Sequence, residues 1–85
     1  MKYLFCPIYL FDKFINIYMI DEEKQTNTVL CQTINTIEYI ALSLEEQCSQ
    51  FNINTVKLAG PANFISGIIK LLPNTIKVIH LKGEN

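Results

Sequence analysis

The apolar and polar positions of the chain divide it into runs of contrasting period. Residues 2 to 11, Lys-Tyr-Leu-Phe-Cys-Pro-Ile-Tyr-Leu-Phe, are aromatic and nearly all apolar, which predicts a strand buried on both faces. Pro7 removes a ladder donor, so the reading requires either an amide position turned away from a neighbour or a bulge. Asp12-Lys13 makes a short turn, and Phe14 to Ile20 forms a second strand. So short a link makes the pair an antiparallel hairpin. Asp21 to Asn27 is the most polar window and reads as a loop; Thr28 to Gln32 reads as a third strand, short and at the sheet edge.

From Thr33 the period changes. Ile34, Ile37, Ala41, Leu44, Cys48 and Phe51 recur at spacings of three and four, with Asn35, Ser43, Glu46, Gln47 and Gln50 opposite. This predicts a helix with one apolar stripe, N-capped by Thr33, Asn35 or Thr36 and stopped near Asn52. Thr55 to Ala59 is a fourth strand ending at Gly60-Pro61. A second helix runs from Pro61 to Leu72, with proline at the first helical position, where its missing amide costs nothing. Gly67 weakens that helix by about 1 kcal/mol relative to alanine and admits a close approach to a strand. Pro73-Asn74 ends the helix, Thr75 to Leu81 is a fifth strand, and Lys82 to Asn85 a frayed tail. Residues 33 to 66 decide the topology, because there a helix links strands that must lie parallel.

Eighty-five residues make a single domain over residues 1–85 with a thin core. Hydrophobic residues are 49% of the chain and charged ones 18%, which predicts apolar surface that finds a partner. The net charge is -1, and all seven basic residues are lysines scattered from Lys2 to Lys82. With no basic stripe and no arginine fork, nucleic-acid binding is not expected. Cys6, Cys31 and Cys48 lack a C-x-x-C spacing and sit in apolar runs, so they read as buried free thiols in a reducing compartment. A metal site built on them would need histidines, and His80 is the only one. The three acidic residues between Asp21 and Asn27 read as solvated loop carboxylates. Asp12 and Lys13 interrupt the apolar N-terminus too early for a signal peptide, and no run approaches the roughly 18 apolar residues of a membrane span. A cytoplasmic protein with no membrane contact is expected.

Two stretches carry a resemblance. Thr33-Ile34-Asn35-Thr36-Ile37-Glu38-Tyr39-Ile40-Ala41-Leu42 resembles the first helix of the ribonuclease H-like fold, and Asn54 through Ile68 is similar to its fourth strand and the helix that follows. The resemblance, with right-handed crossovers, implies an α/β fold of pattern βββαβαβ with two helices: a five-stranded mixed sheet in the order 3-2-1-4-5, strand 2 antiparallel to the rest. It also implies what is missing. Two-metal hydrolysis in that family needs carboxylates on strand 1, on the first helix and at the end of strand 4. Glu38 matches the helix carboxylate, but strand 1 offers Cys6, Pro7 and Ile8, and strand 4 ends in Gly60-Pro61. The fourth acidic residue would lie beyond Asn85, in a helix that covers the second face of the sheet in the family. No catalytic residue, metal ligand or cofactor is therefore expected. Both helices are expected on one face, leaving the other apolar and open to a partner, a second copy first, as a homodimer.

The remaining candidate is a ligand site at the carboxyl end of strand 4, lined by Glu38, Gly60, Pro61, Asn63 and Ser66, where open α/β sheets bind small molecules and helix amides attract anions. The turn lacks the further glycines and the lysine of a phosphate loop. His80 alternates with Ile76 and Val78 and reads as structural, and the tyrosines and phenylalanines read as core. The leading expectation is a non-enzymatic interaction or assembly protein that associates with itself or with a protein partner. Its size and its wealth of Ile, Asn and Lys suit a phage or mobile-element accessory protein. The alternative is a small-ligand or nucleotide-binding module.

Overall fold

Along Lys2–Pro7 (β1) burial alternates: Leu4 and Cys6 are fully enclosed, while Tyr3, Phe5 and Pro7 are half-buried. That alternation means that the two faces of the sheet have different covers. The computed structural model describes residues 1–81. After β1 come Phe14–Asp21 (β2), Thr26–Ile34 (β3), Ile37–Phe51 (α1), Thr55–Ala59 (β4), Ala62–Leu71 (α2) and Lys77–Leu81 (β5). The five strands form one mixed sheet in the order β3-β2-β1-β4-β5, with β2 antiparallel to both neighbours and β4 parallel to β1 and β5. The expected fold class and strand order hold.

The core fills the side of the sheet under the helices. Leu4, Cys6 and Ile8 from the first strand and its exit, Ile15 and Ile17 from β2, and Val56 and Leu58 from β4 meet Ile40, Ala41, Leu44 and Cys48 of α1 and Ile65 and Ile68 of α2. Thr36 caps α1 in extended conformation, its hydroxyl accepting from the Tyr39 amide at 3.2 Å. At the other end Asn52 adopts a left-handed conformation with φ 56° and its amide donates to the Cys48 carbonyl, a common way to stop a helix.

Several sequence expectations shift. β1 ends at Pro7, and Ile8 to Lys13 form a longer link than Asp12-Lys13 alone; Tyr9, Leu10 and Phe11 are exposed, Phe11 at 99%. Pro7 needs no bulge: it pairs with Ala59 of β4, and the register with β2 runs only to Phe5. β3 is nine residues, not a short strand. The polar loop contracts to four turn residues because Asp21 Oδ1 accepts from the amides of Glu23 and Lys24 at 3.1 and 3.3 Å, closing the β2–β3 hairpin. Ile34 belongs to β3 and is exposed rather than lying on the helix stripe, and Phe51 is also exposed. Pro61 is the cap residue of α2, one position before the helix. The tail expected at Lys82 to Asn85 lies outside the described residues.

Gly67 makes its close approach to a helix, not a strand. A Cβ at Gly67 would lie 2.7 Å from Ile37 Cδ1, so the absent side chain lets α2 settle on the first turn of α1. The obstructing atom is the end of a flexible side chain. In Gly67→Ala the helix-propensity gain of about 1 kcal/mol therefore offsets the shift of Ile37, and stability in urea should stay within about 1 kcal/mol of the parent. Gly67→Leu overpacks the same contact and should lose about 1–3 kcal/mol; an unchanged Leu variant would show that the helices are not in tight contact there.

Candidate functional site

Because β1, β3, β4 and β5 run the same way, their carboxyl ends, the first turns of both helices and the β1–β2 link all gather at one end of the domain. Asn35 joins them. Its side-chain amide donates to the carbonyls of Tyr9 and Asp12 at 3.0 and 2.7 Å, and its backbone amide donates to the Lys13 carbonyl at 3.0 Å. The link is further closed by the Asp12 amide on the Tyr9 carbonyl at 3.0 Å. Asn35 Oδ1 is buried without a partner among the described residues, a cost that the two donated bonds outweigh. The residue thus acts as a latch, holding an apolar loop in one shape. Sequence reading placed it only as a cap or an outward helix position. Its partners lie more than twenty residues back along the chain, which no local pattern reveals.

The five predicted site residues share this end of the domain. Gly60 has φ 148°, and a Cβ there would lie 3.0 Å from both Cβ and O of Ile8, so glycine is required for β4 to turn away beside β1. Pro61 has φ -66° and gives α2 no side-chain cap, but its carbonyl accepts from Ile65 at 3.0 Å. Asn63 folds back to accept from the Phe64 amide at 2.9 Å, and Ser66 is exposed one turn on. Glu38 is exposed in the first turn of α1, where the helix dipole favours a carboxylate. His80 does more than the sequence suggested: its Nε2 lies 3.2 Å from the Gly60 carbonyl and ties β5 to the turn.

An open depression lies elsewhere on the surface. It measures about 430 Å³, lies on α1 and is lined by Leu42, Glu45, Glu46, Ser49 and Gln50, and none of the five residues borders it. Among the described residues no three His, Cys, Asp or Glu side chains gather as a metal-binding group.

The thiols are Cys6 and Cys48, buried, and Cys31, half-buried, all free. Burial first, and then the neighbouring Cys31, push the Cys6 thiol up to about 12. Burial and then Glu45 push Cys48 up to about 11, and burial followed by Glu46 raises Cys31. None is poised as a nucleophilic thiolate at neutral pH. Cys31 pairs with Ile17 of β2, and β2 separates its strand from β1 with Cys6, so the two thiols are roughly two strand spacings apart, at about 10 Å, too far for a disulfide.

Among the described residues no helix covers the other face of the sheet. By strand alternation and register its apolar centre is Tyr3 and Phe5 of β1 with Phe14, Tyr18 and Ile20 of β2, flanked by Val29 and Ile34 of β3 and Ile79 of β5, while Asn16, Asn27, Gln32, Thr55, Lys57 and Lys77 put polar groups on the same face. At its centre the rings of Phe5 and Tyr18 are 6.2 Å apart and tilted by 34°, and Lys57 Nζ sits 4.0 Å above the Tyr3 ring. The lysine spreads its stem along the apolar surface and its charge over an aromatic face. No protein-family model matches the chain, and no curated protein matches it in sequence. No helix is long and apolar enough to cross a membrane among the described residues.

Asn35→Ala should release the β1–β2 link and cost about 1–3 kcal/mol in urea unfolding, with faster amide exchange at Asp12; unchanged exchange there would remove the latch. The raised thiols also set an alkaline limit. Folded Cys6 and Cys48 stay protonated above the ordinary 9.0 at which the unfolded chain ionises. Their contribution is whole below pH 9 and is lost as pH rises through about 11 and 12, because the unfolded state then binds fewer protons. The urea midpoint should therefore fall above pH 9 more steeply in the parent than in Cys6→Ala/Cys48→Ala. Equal slopes would mean the thiols are not the cause.

Proposed function

We propose that this chain is a non-enzymatic interaction and assembly protein that associates with itself, a dimer being the first step, through the open face of its sheet. The observation that carries the reading is the composition of that face. By register, eleven of the seventeen strand positions on that face are apolar or aromatic, six of them on β1 and β2; Asn16, Asn27, Gln32 and Thr55 are polar, and of the two lysines Lys57 is laid over Tyr3 and Lys77 stands at the β5 edge. A contiguous apolar patch of this kind on a small domain marks an interaction site, and aromatic residues at its centre are the side chains that dominate binding energy in protein interfaces.

The same proposal takes the chain to be a catalytically degenerate relative of the ribonuclease H-like fold, working in the cytoplasm, as a phage or mobile-element accessory protein. Its support is in residues: Cys6, Pro7 and Ile8 stand where strand 1 of the family carries an aspartate, and Gly60-Pro61 where strand 4 ends in one. Glu38 alone cannot hold a metal pair.

Light scattering across a concentration series is the direct test. A mass of two or more times 9.8 kDa is expected at high concentration. Phe5→Lys, which puts a charge at the centre of the face, should weaken association at least tenfold while leaving the far-ultraviolet circular dichroism unchanged. A strict monomer, or a Phe5→Lys variant that associates as well as the parent, would overturn the reading.

A further inference from the structure

The tip of the β1–β2 link has no reason within its own chain to be apolar. The Asp12 amide on the Tyr9 carbonyl closes a turn with Leu10 and Phe11 at its centre, where glycine, proline, asparagine, aspartate and serine are the usual residues. Both keep negative φ, so the turn would accept polar side chains equally well. Tyr9 and Leu10 are nevertheless exposed, and Phe11 is 99% exposed. The tip is also fixed in shape. Asn35 holds both of its ends, the side chain donating to the Tyr9 and Asp12 carbonyls and the backbone amide to that of Lys13. An apolar tip held in one shape meets a partner without the cost of ordering a loop, and buried aromatic anchors carry much of the energy of protein interfaces.

We propose that this tip seats on the open sheet face of a second copy, an inference that rests on the self-association reading and names the anchor of that contact. Charge selects the occupant. By register the strand positions of the face carry Lys57 and Lys77 and no carboxylate, so two faces alone would meet without a counter-charge. The link supplies one, because the exposed Asp12 follows the tip directly. Lys13 comes after it at the root of the link, where Asn35 holds its carbonyl. The face thus offers what the tip lacks, an apolar seat with a cation beside it.

Symmetry allows both seats to fill at once. A two-fold axis lying between two open faces and across their strands turns one copy end for end while keeping β1 and β2 over their counterparts. Packed sheets hold their strands within about 30° of one another, and with the axis near Pro7 each link overlies the partner's half of the face around Phe5 and Tyr18, beside the Lys57 ammonium that lies over Tyr3. The contact is reciprocal and closes at two copies.

Light scattering of the full chain across a concentration series, with urea unfolding alongside, tests the anchor. Phe11→Ser removes a side chain that is 99% exposed in the single copy, so its urea midpoint should match the parent's while association weakens roughly tenfold or more. Asp12→Lys and Lys57→Glu should each weaken association, and the two together should restore it toward the parent, since the charge pair is then reversed across the contact. A Phe11→Ser chain that associates as well as the parent, or a double variant no better than its singles, would overturn the seating of the tip. Phe5→Lys tells that failure from the larger one: if it still dissociates the copies, association through the face stands without the anchor. A parent chain that stays monomeric throughout would overturn both.

Discussion

The constraint on which everything else rests is the hand of two crossovers. α1 carries the chain from β3 across β2 and β1 to β4, and α2 carries it from β4 to β5. Both connections move the same way along the sheet between parallel strands, and right-handed crossovers then place both helices on one side. The core is therefore one layer of sheet against one layer of helix. Leu4, Cys6, Val56 and Leu58, fully buried, form its floor. The second face is left to Tyr3, Phe5, Tyr18 and their neighbours, which shade one another but meet no second layer.

The end of the domain where helices and β1 exit is held by polar bonds instead. Asn35 fastens the β1–β2 link, Thr36 caps α1, Gly60 turns beside Ile8, and His80 reaches the Gly60 carbonyl. A smaller chain of hydroxyls does the same along β3, where Ser43 donates to Thr33 and Thr33 to the Tyr39 carbonyl. These contacts fix geometry where an apolar core of this size would leave the loops free. They also give Gly60, Pro61 and Asn63 local roles in the turn from β4 into α2.

What the sequence displayed, and what it hid, divides along the range of the interactions. β4 was legible residue for residue, Thr55–Ala59, because Gly60 and Pro61 punctuate it and its neighbours are apolar. Asn52 was legible as a helix stop from its place after the last periodic residue. β3 was not. Thr26, Asn27 and Thr28 read as loop because an edge strand needs no apolar alternation and draws its order from pairing with Met19, Ile20 and Asp21. Ile8 to Phe11 misled in the other direction, since four apolar residues continue the strand pattern while the backbone is already bent by Asn35. Ile34 fitted a helical spacing by coincidence. For the site, Glu38, Gly60, Pro61, Asn63 and Ser66 were correctly expected near one end, but whether a cleft opens between them depends on side-chain geometry that no spacing encodes.

The order of the strands also bears on the birth of the chain. β1 is the middle of the sheet yet the first of the five strands to be synthesised, and its parallel neighbour β4, paired Leu4 to Val56, follows only after two strands and a helix. The β1–β2–β3 meander can close early from local contacts, but its inner face has no lid until α1 has been translated and folds back over it. During that interval both faces of the nascent meander are apolar and wet. A chaperone would find this domain more receptive before α1 has emerged than after α1 has closed over the meander.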